Sequence, residues 1–322
     1  MAKSKPPIFP PLIINVYKPK GIGSSDVVRH FKYNLPSGFG KIGHLGTLDP
    51  FAEGVLLIAI AGASRLSNLI HDSFPKTYEA EGLLGQSFDT GDITGNLINE
   101  DPGIESRLID LGVEALNRVA KAFEGEYLQV PPYYSATKHE GVPLHKLARQ
   151  GTFITKKPVK RIINSFEVLS IEGANIRFKC EVSSGTYIRV LFEDFAKKLG
   201  TLGVLKHLKR TKIGPFSLTN CLKRENWPTR GDDFKARLVG QQSQQEANPC
   251  FCPGFVFNDK VFRLSEERWE EFKNGKNVGS DIEGLNDGEV IGLFSPSGRV
   301  CALATLEGAY LKPIVRFSPF ID

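Results

Sequence analysis

Two side chains capable of chemistry sit five positions apart in the glycine-rich stretch GKIGHLGTLDPFAEG, residues 40–54: the imidazole of His44 and the carboxylate of Asp49. Pro50 holds the backbone of Asp49 extended. Gly43, Gly46 and Gly54 allow tight turns and let a ligand approach the main chain. Asp49 reads either as a turn residue capping the segment after it or as a carboxylate presented to a cleft by a rigid loop. Asp49 and Glu53 make a weak paired-carboxylate site, since such pairs face each other across a substrate at ~5–9.5 Å, normally from different elements. The second candidate is Arg189, in the first turn of the helix after SSGT, where a cation opposes the helix macrodipole. Ile188, Leu191, Phe192 and Phe195 form the buried stripe of that helix. An arginine so placed calls for a specific anion; the loop carboxylate and Glu193, one turn along, both qualify.

Other chemistries lack support. The five cysteines are odd in number and widely spaced, which reads as reduced thiols in a cytoplasmic protein. Cys250 and Cys252 have no second pair, and structural zinc wants ~four ligands. No G-x-G-x-x-G follows a strand and no G-x-x-x-x-G-K-[ST] occurs, so a nucleotide cofactor is not expected. No apolar run approaches the ~20 residues of a membrane span, and MAKSKPPIFPPL lacks the apolar core of an export signal.

Charge points to a polyanion. The net charge is +5, yet residues 246–322 hold 8 Lys and Arg against 12 Asp and Glu, leaving 33 against 24 in residues 1–245. Between Lys138 and Arg161 stand seven basic residues and one acid, Glu140, and KHLKRTK (206–212) has four basic residues and no acid. One such run is an ordinary solvated face; two, with His139, His145 and His207 among them, read as a phosphate-backbone surface. The acidic stretch Glu81–Glu114 is expected to lie away from it.

The elements that position these residues suggest an α+β protein. LIINVY (12–17) reads as a strand and SSDVVRHFKY (24–33) as a helix with Ser24 or Ser25 at its N-cap. VLLIAIA (55–61) is a buried strand or helix. KTYEAEGLLG (76–85) alternates, with Tyr78, Ala80, Gly82 and Leu84 on one face. EALNRVAKAF (114–123) is helical, NIRFKCEVS (175–183) is a strand, and TYIRVLFEDFAKKLG (186–200) is a helix stopped by Gly200. This irregular interleaving predicts a large mixed or antiparallel sheet with packed helices in residues 1–245. A polar segment, 225–249, reads as a linker to a small β-barrel-like domain over 246–322.

Six blocks then carry a resemblance: KPKGIGSSDVV (18–28), KIGHLGTLDPFAEGVL (41–56), KTYEAEGLLG (76–85), FEGEYLQVPPYYSATKHEGVPLHKLARQG (123–151), SSGTYIRVL (183–191) and LKRTKIGPF (208–216). In this order they resemble the TruB-type tRNA pseudouridine synthases, closely over 18–216. The resemblance extends more loosely to LKPIVRF (311–317), which is similar to the end of the family's small PUA-like RNA-binding domain. It implies isomerisation of uridine 55 in the tRNA T-loop by base flipping, with no metal, nucleotide or other cofactor. Asp49 matches the catalytic aspartate and Arg189 the arginine paired with it. Tyr78 matches the residue that stacks on the extruded base, Tyr187 and Leu208 match pocket-lining residues, and His44 the histidine that fills the vacated space. The 123–151 block matches a segment that closes on the T-arm, where Lys18 and Lys20 are expected to help meet phosphates. The chain departs from the family at Leu45, where threonine is usual, at Val182-Ser183-Ser184-Gly185, where Cys-Ser-Lys-Gly is usual, and at His145. The expected partner is tRNA, bound by a monomer that needs no protein partner and no membrane. The rival reading is a tRNA-binding folding chaperone in which the chemistry is secondary.

Overall fold

LIINVY is apolar at every position but Asn15, as a strand covered on both faces must be, and it forms β1 (Leu12–Lys18). The computed structural model describes residues 9–35, 38–108, 112–231, 248–258, 260–280 and 284–317. The domain boundary expected at 245 lies outside these residues, as do part of the expected linker and most of the N-terminal dozen. Packing gathers the chain into two units, one formed by Met1–Asp49, Val55–Ile70 and Pro215–Asp322, the other by Pro50–Gly54 and His71–Gly214.

In the first unit, α1 (Ser24–Asn34) follows β1. Its N-cap is Gly23, one residue before the expected serines, because Asp26 reaches back to accept the Gly23 N–H at 2.9 Å. The Ser24 hydroxyl is thereby released for another bond. β2 (Ile42–His44) and β3 (Glu53–Ile60) pair antiparallel, with His44 opposite Ile58. VLLIAI (55–60) is therefore strand, buried throughout, and Ala61 opens a 3-10 turn. Leu56, Ile58 and Ile60 pack with Leu12, Ile14 and Val16 of β1 and with Val27 and Phe31 of α1. Buried Asn15 donates to the carbonyls of Ser217 and Asn220, which satisfies its amide. A short helix, α2 (Ser67–Ser73), leads toward the second unit.

The second unit begins its sheet with β4 (Lys76–Leu84). A hairpin of β5 (Gln86–Phe88) and β6 (Leu97–Glu100) encloses the loop DTGDITG. Then come α3 (Ile104–Leu108), α4 (Val113–Lys121) and β7 (Gly125–Gln129). A tight hairpin, β8 (Lys138–His139) and β9 (Val142–Pro143), precedes α5 (Leu144–Arg149). The long strands β10 (Val159–Glu172) and β11 (Asn175–Val182), then α6 (Ile188–Lys198) and β12 (Gly203–Ile213), complete it. Neighbours run antiparallel in the order β12-β4-β11-β10-β7. β12 also pairs in parallel with Glu53 and Gly54, so the sheet is mixed, as expected. That junction requires glycine: Gly54 has φ +109°, and a Cβ there would stand 2.2 Å from the Arg210 carbonyl oxygen. Alternate residues of β11, Ile176, Phe178, Cys180 and Val182, form a buried stripe. Phe192 of α6 stacks on Phe178 at 5.4 Å and lies over Gly82, where a Cβ would come within 2.1 Å of its ring.

The C-terminal part of the first unit adds β13 (Phe216–Ser217) and β14 (Cys250–Phe251), the latter antiparallel to β1. It ends in β15 (Val261–Arg263), α7 (Glu266–Lys273), β16 (Val278–Gly279), β17 (Val290–Phe294), β18 (Val300–Glu307) and β19 (Tyr310–Arg316). These strands form a curled five-stranded half-barrel in the order β15-β17-β18-β19-β16, the β-rich appendage the turns predicted. The helix α7 is an addition to that expectation. In EERWEEFK only Trp269 and Phe272 are apolar and buried, too few to stand out as a stripe. Among the described residues no helix is long and apolar enough to cross a membrane.

Candidate functional site

The loop after β2 is pinned on both sides of its polar residues. Leu45 is buried, and its N–H bonds to the Leu57 carbonyl at 2.9 Å. An interior position suits leucine, so the hydroxyl lost relative to the family's threonine is replaced by apolar packing. Three residues on, the Ser24 hydroxyl donates to the Leu48 carbonyl at 2.9 Å and accepts the Leu48 N–H at 2.8 Å. This reciprocal pair is buried and fixes the peptide just before Asp49. Asp49 is half-buried and stands immediately ahead of Pro50; His44 is half-buried on β2. Glu53, considered above as a partner carboxylate, instead lies 3.1 Å from His207.

Lys18 and Lys20 part company. Lys18 is fully buried, and its ammonium donates to the Pro19 and Ile22 carbonyls at 3.0 and 2.8 Å. It ties down the turn that precedes α1, a geometry that leaves it no face for phosphate. Lys20 is exposed.

The second unit holds the other four candidates. β4 presents Tyr78 on the same face as Gly82, and α6 covers that face through Phe192. Tyr78 is buried, paired across the strands with Cys180 and Arg210. Leu208 is opposite Ala80, which makes it a diagonal neighbour of Tyr78 on that face. Arg189, in the first turn of α6, is only 4% exposed. Its guanidinium donates to the carbonyls of Thr90 and, at 3.0 Å, Tyr134, and its Nε lies 3.9 Å from a carboxylate oxygen of Asp92. The N-cap of α6 is Tyr187, whose backbone is held from both sides by one amide: Gln129 accepts its N–H at 2.8 Å and donates to its carbonyl at 3.0 Å. The Tyr187 hydroxyl meets that of Thr137 at 3.1 Å. Glu193, the other candidate anion for Arg189, has its pKa raised by burial against the opposing pull of Lys197 and Arg189.

Two expectations about charge are overturned. The acidic stretch does not stay away: Asp92 reaches Arg189, and Glu81 pairs with Lys206 at 2.9 Å. The basic runs are not free of acids either, since Lys160 pairs with Glu126. For Glu81–Lys206 and Glu126–Lys160 the cause is shared: antiparallel neighbours bring acids across the sheet from positions remote in sequence. In the first run Lys138, Lys146, Arg149 and Lys157 are exposed, and so are Tyr133 and Phe153, whose ring centroids lie 5.3 Å apart. Sequence reasoning missed Ser24, Gln129 and Asp92 as positioning residues. Asp92 alone left a trace, an acid within a glycine-flanked loop.

The first unit carries a loop carboxylate, Asp49; the second carries an aromatic residue on a sheet face, a buried arginine held by backbone carbonyls, and exposed cations and aromatic rings. Such parts suit work on a nucleobase. Residues 33–188 match the family described as TruB family pseudouridylate synthase, N-terminal domain. The chain is 34% identical over 299 residues to tRNA pseudouridine synthase B of Thermotoga maritima, covering 92% of this chain and 90% of that one. It is 33% identical over the same shares to the Thermotoga petrophila protein of that name. Against the Francisella philomiragia one it is 36% identical over 265 residues, 82% of each chain. Among solved structures, a Cbf5-Nop10-Gar1 complex contains a chain similar in fold, with a TM-score of 0.65 at 22% identity over 96% of this chain and 85% of that one.

Proposed function

This chain belongs to the TruB family of pseudouridylate synthases, and from that premise we propose that it isomerises uridine 55 to pseudouridine in the T-loop of tRNA. It is an RNA pseudouridine synthase, an isomerase. The shared designation of its relatives, tRNA pseudouridine synthase B, supports tRNA as the substrate.

The reaction breaks the ribose C1′–N1 bond and joins C1′ to C5 of the same uracil; C5 gives up its proton and N1 gains one. In this reading Asp49 is the catalytic carboxylate, acting as nucleophile at C1′ or as base toward a ribose proton. Either route needs it ionised, and Arg189 serves as its cation. Tyr78 stacks on the extruded uracil, a contact worth ~1–3 kcal/mol. Tyr187 and Leu208 line the base pocket, and His44 occupies the space the base leaves. Lys20 and the 123–151 segment meet phosphates, with Tyr133 and Phe153 offered to the loop's bases. No metal or organic cofactor enters the scheme. Residues 1–245 form the catalytic domain and 246–322 a PUA-like RNA-binding domain, and the protein works as a monomer without protein partners.

The observation that carries this reading is Arg189. A guanidinium buried and held by the Thr90 and Tyr134 carbonyls is a fixed positive charge, suited to orienting a carboxylate in a dry site. The test is incubation of purified protein with unmodified tRNA transcript and mapping of pseudouridine by carbodiimide primer extension. A new stop at the T-loop uridine is expected. Intact tRNA binding with no stop would favour the folding-chaperone reading instead.

A further inference from the structure

We propose that β7 straps α6 in place through Tyr127 and Gln129, and that these two are positioning residues for the chemical step, acting through Arg189. The inference rests on the reading of Arg189 given above and extends it to the residues that decide where the guanidinium stands. All of them belong to the second unit.

β7 is the last strand in the sheet order, and alternation gives it two unlike faces. Glu126 and Leu128 are exposed, whereas Tyr127 is half-buried and Gln129 only 1% exposed. A buried amide must find its bonds inside the protein, and Gln129 finds them on one residue of α6. Its Oε1 accepts the Tyr187 N–H at 2.8 Å, and its Nε2 donates to the Tyr187 carbonyl at 3.0 Å. That carbonyl also accepts the Leu191 N–H at 3.0 Å, the bond that opens the helix. The N-cap residue makes no side-chain capping bond of its own. Two residues back along β7, Tyr127 donates its hydroxyl to Asp194. Asp194 stands seven positions after Tyr187, about two turns along the same stripe of the helix.

These two attachments determine what apolar packing leaves open. Leu191, Phe192 and Phe195 of α6 are buried, but hydrophobic burial is non-directional and tolerates a small slide or roll of the helix. Hydrogen bonds do not, since they weaken steeply off their axis. With the start of α6 held by Gln129, Arg189 follows two residues on, and its guanidinium reaches the carbonyls of Thr90 and Tyr134. Tyr134 belongs to the same stretch of chain as the clamp. It is reached from Gln129 through Pro131 and Pro132, whose rings fix φ at about −65°. One stiff segment therefore holds both the start of the helix and an acceptor of the guanidinium. The hydroxyls of Thr137 and Tyr187, 3.1 Å apart, add a third tie between that segment and α6.

The test is a double-mutant cycle read by single-turnover conversion of unmodified tRNA transcript. Gln129→Glu keeps an acceptor for the Tyr187 N–H and removes the donor to its carbonyl. Its rate should fall about tenfold or more, toward the ~100-fold cost of a ~1 Å misplacement, while tRNA affinity stays within about threefold. Added to Arg189→Lys, the same change should cost less than about threefold, because residues that act as one unit are not additive. Tyr127→Phe keeps the ring and loses the bond to Asp194. It runs through the same cycle with a smaller fall, about three- to tenfold for one hydrogen bond, and it decides the matter if the glutamate variant does not fold. A loss that adds in full to Arg189→Lys, a rate within about twofold of wild type, or affinity lost in proportion to rate would each overturn the strap. Any of these beside normal wild-type conversion removes the strap alone. Wild-type protein that binds tRNA and converts none removes the functional reading with it.

Discussion

Ser24→Ala tests how the loop that carries Asp49 is held. The hydroxyl is 4% exposed and makes two bonds to one peptide, donating to the Leu48 carbonyl at 2.9 Å and accepting its N–H at 2.8 Å. Each bond contributes ~1 kcal/mol net, and a buried partner left unmade costs ~1–3 kcal/mol. Removing both should therefore weaken this end of the loop by about 2–4 kcal/mol. Asp49 is the next residue, so the loosening should appear in the chemical step: a ~1 Å misplacement of a reacting group costs ~100-fold. Single-turnover rates on tRNA should fall about 10- to 100-fold, while tRNA affinity stays within about threefold. Ser24→Thr keeps the hydroxyl and should recover most of the rate. A Ser24→Ala protein with a rate within twofold of wild type would refute the reasoning, as would a Thr variant as slow as the Ala one.

Arg189→Lys replaces a fork that reaches two carbonyls with a single ammonium; turnover should fall at least about 100-fold by single-turnover assay, and near wild-type rates would mean that positive charge alone suffices. Gly82→Ala puts a methyl 2.1 Å from the Phe192 ring and should cost ~1–3 kcal/mol by overpacking, read as a lower urea midpoint; an unchanged midpoint would show that α6 can shift freely. Burial, with the positive charges of Arg210 and Arg161 beside it, lowers the Lys76 pKa from the ordinary lysine value of 10.5 to about 7. Between these values the unfolded chain holds a proton the native one lacks, so this group's contribution to stability should rise as pH goes from about 7 to about 10 and be lost again as pH falls. Urea unfolding of wild type and Lys76→Met at pH 7 and 9.5 measures it: the variant should be the more stable at pH 7, with the gap narrowing at 9.5, and a gap that stays constant would contradict the burial of a lysine poised to titrate.

What the sequence could and could not reveal follows a physical division. Local periodicity placed β4, β11, α4 and α6, because alternation and the 3.6-residue stripe are written into neighbouring positions. Arg189 was legible in the first turn of α6, and its burial followed from the apolar residues around it. Contacts across the sheet were not legible. Glu81 meets Lys206 across the sheet over more than a hundred positions, so a run that looks purely basic in sequence is partly neutralised in space, and Asp92, in the β5–β6 loop, meets Arg189 of α6 over nearly a hundred. The N-cap of α1 moved by one residue because Asp26 caps Gly23, and only that shift frees Ser24 for Leu48. Lys18 reads as a surface cation in any linear window, yet two carbonyls three residues apart in one turn are enough to hold its buried ammonium. The amide of Gln129, bonded to both backbone groups of Tyr187, has no sequence signal at all.

The chemistry assigned to Asp49 is tested most directly by tritium release from tRNA transcript carrying [5-³H]uridine, because the C5 hydrogen leaves only when C1′ is rejoined at C5. Wild-type protein should release it stoichiometrically from the T-loop position. Asp49→Asn should bind the same tRNA within about tenfold, ~1.4 kcal/mol, and release it slower by several orders of magnitude. Release by Asp49→Asn at a rate near wild type would contradict the account and move the chemistry to another residue.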